Sequence, residues 1–174
     1  MSKESEILNN IIYHNNQHPE RTKMPSEAVY SIMHVIKCDE TEALKLLRTH
    51  CNSIVTYAIL LSKGKIGTSY TEFFEQGYKS GAINKYGFIE LEEQKFLKSV
   101  CDEPTTAVKI YPPFTNLKET VYKMKIDNAY GTHFMGAYYL NGTLYISDPN
   151  DRGVGVTVTS LKAGDNIEYL KEYI

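Results

Sequence analysis

The chain has 174 residues, of which 42% are hydrophobic and 23% charged, with a formal net charge of −2. That length suits one domain able to bury roughly two-thirds of its unfolded surface without a disulfide or metal staple. Near-balanced charge without a long basic run excludes a nucleic acid or an anionic membrane held mainly by charge.

The first ten residues are polar and carry Glu4 and Glu6. They lack the basic lead and apolar stretch of a secretory signal, and no window approaches ~18 consecutive apolar residues, so a cytoplasmic chain without a membrane span is expected. Cys38, Cys51 and Cys101 are odd in number and irregularly spaced. In that setting they read as free thiols. The 14 tyrosines read as filler of strands and amphipathic helix faces.

Ile7, Leu8, Ile11 and Ile12 would share one face of a short helix, and the polar stretch to Pro25 reads as a loop. Residues 1–25 are thus an extension to a single domain spanning 1–174. His14 and His18 have the i, i+4 spacing of a helical metal pair, but no glutamate lies between them and Pro19 follows. A solvated loop is the better reading, and no metal or cofactor is expected.

Ser26 predicts a helix cap before Glu27–Ile36, and Asp39 with Glu42 predicts another start, followed by the stripe Ala43, Leu44, Leu47. Ile54, Val55, Ala58, Ile59 and Leu61 continue at helical spacing until Ser62-Lys63-Gly64. Periodicity leaves open one helix over 40–62 or two meeting near His50–Asn52. Ser69 with Glu72 caps a helix closed at Ser80-Gly81, and Glu90–Val100 is a further helix. Thr105–Tyr111 is β-branched and stops at Pro112-Pro113, hence a strand. Asn116 with Glu119 predicts a short helix to about Lys125, Val154–Thr159 a strand, and Asp165–Ile174 a terminal helix, with a strand as the alternative. Helices first and antiparallel strands last is an α+β order.

The most informative stretch runs from Gly131 to Gly155. Asn141-Gly142 between two runs rich in Tyr, Leu and Ile predicts a hairpin with a two-residue type I′ turn. If Leu140 faces Thr143, then Tyr139 faces Leu144, Ala137 faces Ile146, Met135 faces Asp148 and His133 faces Asn150. Side chains alternate, so His133, Met135, Asp148 and Asn150 project from one side. His133 and Asp148 are then diagonal neighbours about 7–8 Å apart at the backbone, a gap that an imidazole and a carboxylate close. A base with its orienting partner still needs a nucleophile. Cys51 is the best candidate, because a helix N-terminus favours a thiolate. Cys38 lies beside Asp39, and Cys101 precedes Asp102 and Glu103 at a helix C-terminal end.

The pieces Cys51-Asn-Ser-Ile-Val, His133-Phe-Met-Gly-Ala-Tyr-Tyr, Asn141-Gly142 and Leu144-Tyr-Ile-Ser-Asp148-Pro149 together resemble the papain-like cysteine peptidase superfamily. They are most similar to its compact bacterial members, such as the leader-peptide-cleaving peptidase domains, over residues from about 50 to 160. The resemblance implies a papain-like fold in which a central helix carrying Cys51 packs on the C-terminal antiparallel sheet. It implies a peptidase or amidase in which Cys51 attacks, His133 moves the proton and Asp148 fixes the imidazole, with Asn150 as reserve orienter. Such enzymes usually place a glutamine a few residues before the cysteine as oxyanion donor. Lys45–His50 holds none, so that duty would fall to the Cys51 N–H with Arg48, His50 or Asn52. The expected partner is a peptide or protein, with oligomeric state open. The competing readings are a papain-like fold without turnover, acting as a binding or inhibitory module, and a metal site made of Cys51, His133 and Asp148.

Overall fold

A computed structural model of the protein describes residues 2–15, 26–150 and 152–174. Local capping chemistry sets most helix starts. Helices α1 (Lys3–His14), α2 (Glu27–Ile36), α3 (Glu40–Leu47) and α5 (Tyr70–Ser80) each begin behind a side-chain cap. For the last three, the backbone N–H of the third helical residue donates to Ser26 Oγ at 3.2 Å, Asp39 Oδ1 at 2.8 Å and Ser69 Oγ at 3.2 Å. The stretch 40–62 is two helices, for α3 stops at Leu47 and α4 (Cys51–Ser62) begins after His50. Glu90–Glu92 forms a 3₁₀ turn leading into α6 (Glu93–Val100).

The strands are β1 (Ile83–Asn84), β2 (Gly87–Phe88), β3 (Ala107–Ile110), β4 (Val121–Asn128), β5 (Gly131–Leu140), β6 (Thr143–Ser147), β7 (Val156–Thr157) and β8 (Asn166–Tyr173). The first two pair with each other, and the other six form one antiparallel sheet in the order β3-β8-β4-β5-β6-β7. The Asn-Gly turn has φ of 51° at Asn141 and 80° at Gly142, the doubly positive pair that a type I′ turn requires. It sets Leu140 against Thr143, Tyr139 against Leu144 and Ala137 against Ile146, the expected register.

Three expectations need correction. Asn116 has φ of 60° and opens no helix; the chain passes instead into the long strand β4. The C-terminal segment is strand β8 rather than a helix, because it lies between β3 and β4 and is paired on both edges. The strand expected over Val154–Thr159 shrinks to Val156–Thr157, followed by a 3₁₀ turn. The small β1–β2 hairpin was not foreseen.

Among the described residues the architecture is therefore six α-helices against a six-stranded antiparallel sheet, an α+β arrangement. The helices cover one face, where Leu8, Ile12, Ile54, Ala58 and Phe73 share a core with Val121, Tyr138 and Tyr173. The other face carries Tyr122, Met124, Ile126, Met135, Ala137, Ile146 and Leu170, covered by Phe114, Leu117, Val158 and Leu161. Helix α4 is buried along nearly its whole length, its polar Asn52, Ser53 and Thr56 included. Among the described residues no helix is long and apolar enough to cross a membrane.

Candidate active site

The polar residues in the first turn of α4 are all engaged. Ser53 Oγ donates to the His50 carbonyl at 3.0 Å and lies 2.8 Å from the Tyr70 hydroxyl. Asn52 Oδ1 accepts from Lys123 Nζ at 2.7 Å and from Thr56 Oγ1 at 3.2 Å. Lys123, on β4, is fully buried and also donates to Glu93 Oε1 at 2.8 Å. Glu93 in turn accepts from Lys171 and Tyr173. The first turn of α4 is thus tied to the sheet by a buried polar network. Cys51 opens the helix, where N–H groups lack intrahelical acceptors.

His133 stands near the start of β5, and Asp148 directly follows β6. The hairpin brings them together. His133 Nε2 lies 2.6 Å from Asp148 Oδ1, with Asp148 wholly buried and the imidazole largely so. Cys51 lies close enough to the imidazole to raise its pKa, and with Nε2 facing Asp148, Nδ1 is the ring nitrogen the carboxylate leaves open. Burial pushes the imidazole towards the neutral form. The hydrogen bond to Asp148, the nearness of Cys51 and the Asp148 charge outweigh burial and raise its pKa to about 10. Burial would likewise raise the Asp148 carboxyl, but His133, the Asn150 N–H and Arg152 hold it below the ordinary carboxylate range. The outcome is an imidazole held by Asp148 beside Cys51 and favoured in its charged form at neutral pH.

Other candidates take different places. Asn150 gives its backbone N–H to Asp148 Oδ1 at 2.9 Å, so it supports the carboxylate while Asp148 itself occupies the imidazole nitrogen. His50 turns into the core, with Nε2 3.1 Å from the Lys85 carbonyl oxygen and its ring edge-on to Phe74. Burial drives its pKa down to about 4 despite that hydrogen bond. Asn52 spends its carboxamide on Lys123, Thr56 and, at 3.4 Å, the Phe88 carbonyl. Arg48 is exposed at the end of α3. His14 is exposed at the end of α1, and His18 lies outside the described residues. Among the described residues no group of three His, Cys, Asp or Glu side chains is placed to hold a metal ion. All three cysteines are free thiols.

Two features are not among the sequence-derived site residues. One is Arg152, whose Nη1 donates to Asp148 Oδ2 at 3.0 Å; its i, i+4 spacing from Asp148 was the available signal. The other is a cavity of about 460 Å³ bordered by His133, Asn150, Arg152, Lys162 and Asp165, built from three stretches of the chain, 128–133, 150–152 and 162–165. No family model, curated protein or solved structure matches the chain.

Proposed function

We propose that the protein is a papain-like cysteine hydrolase acting on an amide or thioester carbonyl, with a peptide as the expected substrate. The observation that carries this reading is the single imidazole that hydrogen-bonds a buried carboxylate and lies near a helix-opening cysteine. An imidazolium beside a thiolate is the resting state from which such enzymes begin. The Cys51 sulfur donates an electron pair to the carbonyl carbon, and the carbonyl π electrons move onto oxygen. The Cys51 N–H at the helix start stabilises that oxyanion. As the tetrahedral intermediate collapses, the bond to the leaving nitrogen or sulfur breaks, and His133 supplies the proton to it. Water then gives a proton to His133 and attacks the thioester, releasing a carboxylic acid and restoring the cysteine. Asp148 keeps the imidazole in one orientation throughout. The cavity beside His133 would receive the departing group, and its lining of Asn128, Thr132, Asn150 and Lys162 suits a polar one.

A second reading is a papain-like binding module without turnover. It is favoured by the lack of a side-chain oxyanion donor before Cys51, since Arg48 is exposed while His50 and Asn52 are engaged elsewhere. Mass spectrometry of the protein mixed with a panel of peptide thioesters separates the two. The hydrolase reading expects an acyl adduct on Cys51 and free acid released, both lost in Cys51→Ala; tight peptide binding without adduct or acid supports the second.

A further inference from the structure

Asp148 is held by more than the imidazole it orients. Its Oδ1 accepts from His133 Nε2 at 2.6 Å and from the Asn150 N–H at 2.9 Å. Its Oδ2 accepts from Arg152 twice, from the backbone N–H at 3.3 Å and from Nη1 at 3.0 Å. The other end of the guanidinium, Nη2, donates to Asp165 Oδ2 at 2.6 Å. Asp165 is itself fixed, for it accepts from Asn128 Nδ2 at 3.1 Å and from the Lys162 N–H at 2.9 Å. Arg152 thus joins the end of β6 to the loop before β8, and Asp165 ties that loop to the end of β4.

We propose that Arg152 is a positioning residue for the His133–Asp148 pair, its guanidinium spanning two carboxylates so that Asp148 is anchored to Asp165 and cannot rotate away from the imidazole. The guanidinium is a rigid planar fork whose two ends meet the two acids. Without it, the only donor left on Oδ2 from this residue is a long backbone contact of 3.3 Å, and the carboxylate is free to turn. A lysine keeps the charge but has a single nitrogen, so it cannot bridge both acids. The inference uses the proposed hydrolase reading only for its consequence on activity.

Charge and position make opposite predictions, which is what makes the proposal testable. The groups facing His133 are Cys51 from α4 and Asp148 after β6, with Arg152 behind Asp148 and Asp165 and Lys162 across the cavity. If Arg152 acted only as a nearby positive charge, its removal would ease the imidazolium and move the His133 titration upward. If it holds Asp148 in place, removal weakens the Asp148–His133 bond and moves the titration downward.

The experiment is an NMR titration of histidine-labelled protein, with His133 assigned by its loss in His133→Ala, for wild type, Arg152→Gln, Arg152→Lys and Asp165→Asn. We expect the His133 midpoint to fall by about one pH unit in both Arg152 variants, and by a smaller step in Asp165→Asn, with the alkaline limb of Cys51 alkylation moving in parallel. A wild-type midpoint in Arg152→Lys, an upward shift in Arg152→Gln, or no shift in any variant overturns the proposal. Should Arg152→Gln fail to fold by circular dichroism, Asp165→Asn carries the test, since Asp148 and Arg152 both remain. A downward shift without any acyl adduct on Cys51 would sink the hydrolase reading and leave this one standing; an adduct with no shift would do the reverse.

Discussion

Replacing Glu93 by glutamine removes the acid that, among the described residues, Lys123 and Lys171 share inside the core. Glu93 is 3% exposed, Lys123 0% and Lys171 5%. Burial alone would raise the Glu93 carboxyl, yet the two lysine charges and their hydrogen bonds hold it at about 2. Relative to the ordinary value of 4.5, that depression favours the folded ionised form by about 3 kcal/mol. Lys123 moves the other way. Its burial outweighs the attraction of Glu93 and lowers it from 10.5 to about 8, an opposing cost of similar size, about 3 kcal/mol. A buried ion network of this kind contributes little net stability, whereas losing its acid leaves two buried ammonium groups without a counter-charge, a penalty of about 3–5 kcal/mol. Lys123→Met is milder, about 1–2 kcal/mol, since Glu93 keeps Lys171 and Tyr173 while Asn52 loses a donor. Urea unfolding followed by circular dichroism reads both, as a lower midpoint at unchanged slope. The stabilisation by Glu93 is complete above pH 4.5 and is lost as pH falls towards about 2. A Glu93→Gln protein within about 0.5 kcal/mol of wild type, or a Lys123→Met protein less stable than Glu93→Gln, would refute the reasoning.

Two further perturbations act next to Cys51. His50 is buried neutral at about 4, below its unfolded value, so the folded protein loses stability as pH falls from about 6.5 towards 4, by up to about 3 kcal/mol. His50→Gln should flatten that acid limb in pH-dependent thermal melts, and an unchanged limb would count against it. Gly87 has φ of 135°, and a Cβ there would sit 2.6 Å from the Thr49 carbonyl oxygen. Gly87→Ala should therefore cost at least about 2 kcal/mol by the same melts and loosen the β1–β2 hairpin from the α3–α4 junction; an unaltered melting temperature contradicts that packing.

What sequence made visible follows the range of the physics. Caps at Ser26, Asp39 and Ser69 act within one helical turn, so those helix starts were legible. The Asn141-Gly142 turn propagates its register along both strands by alternation alone, which is why His133 and Asp148 were readable as one pair. Strand β4 is hidden in the sequence because Asn116 with Glu119 reads as a helix start, and because Lys123 and Lys125 occupy the strand's helix-facing side. A lysine in a core makes sense only once Glu93, thirty positions away, is known to lie against it. The same applies to β8, where Lys171 and Glu172 are buried and mask the strand pattern. His50 and Asn52 looked like site residues because they flank Cys51 in the chain. A helix turns successive residues by about 100°, and the two point to Lys85 and Lys123 instead.

The most direct test of the account is the rate at which each cysteine reacts with iodoacetamide at pH 7, followed by peptide mass spectrometry. Cys38 and Cys101 thiols are both pushed up by burial, Cys38 further by Glu42 and Asp39, and should react slowly. The account predicts that Cys51 is alkylated at least about tenfold faster than either, and that His133→Ala removes the advantage. Equal slow labelling of all three, or a Cys51 rate indifferent to His133, would contradict it.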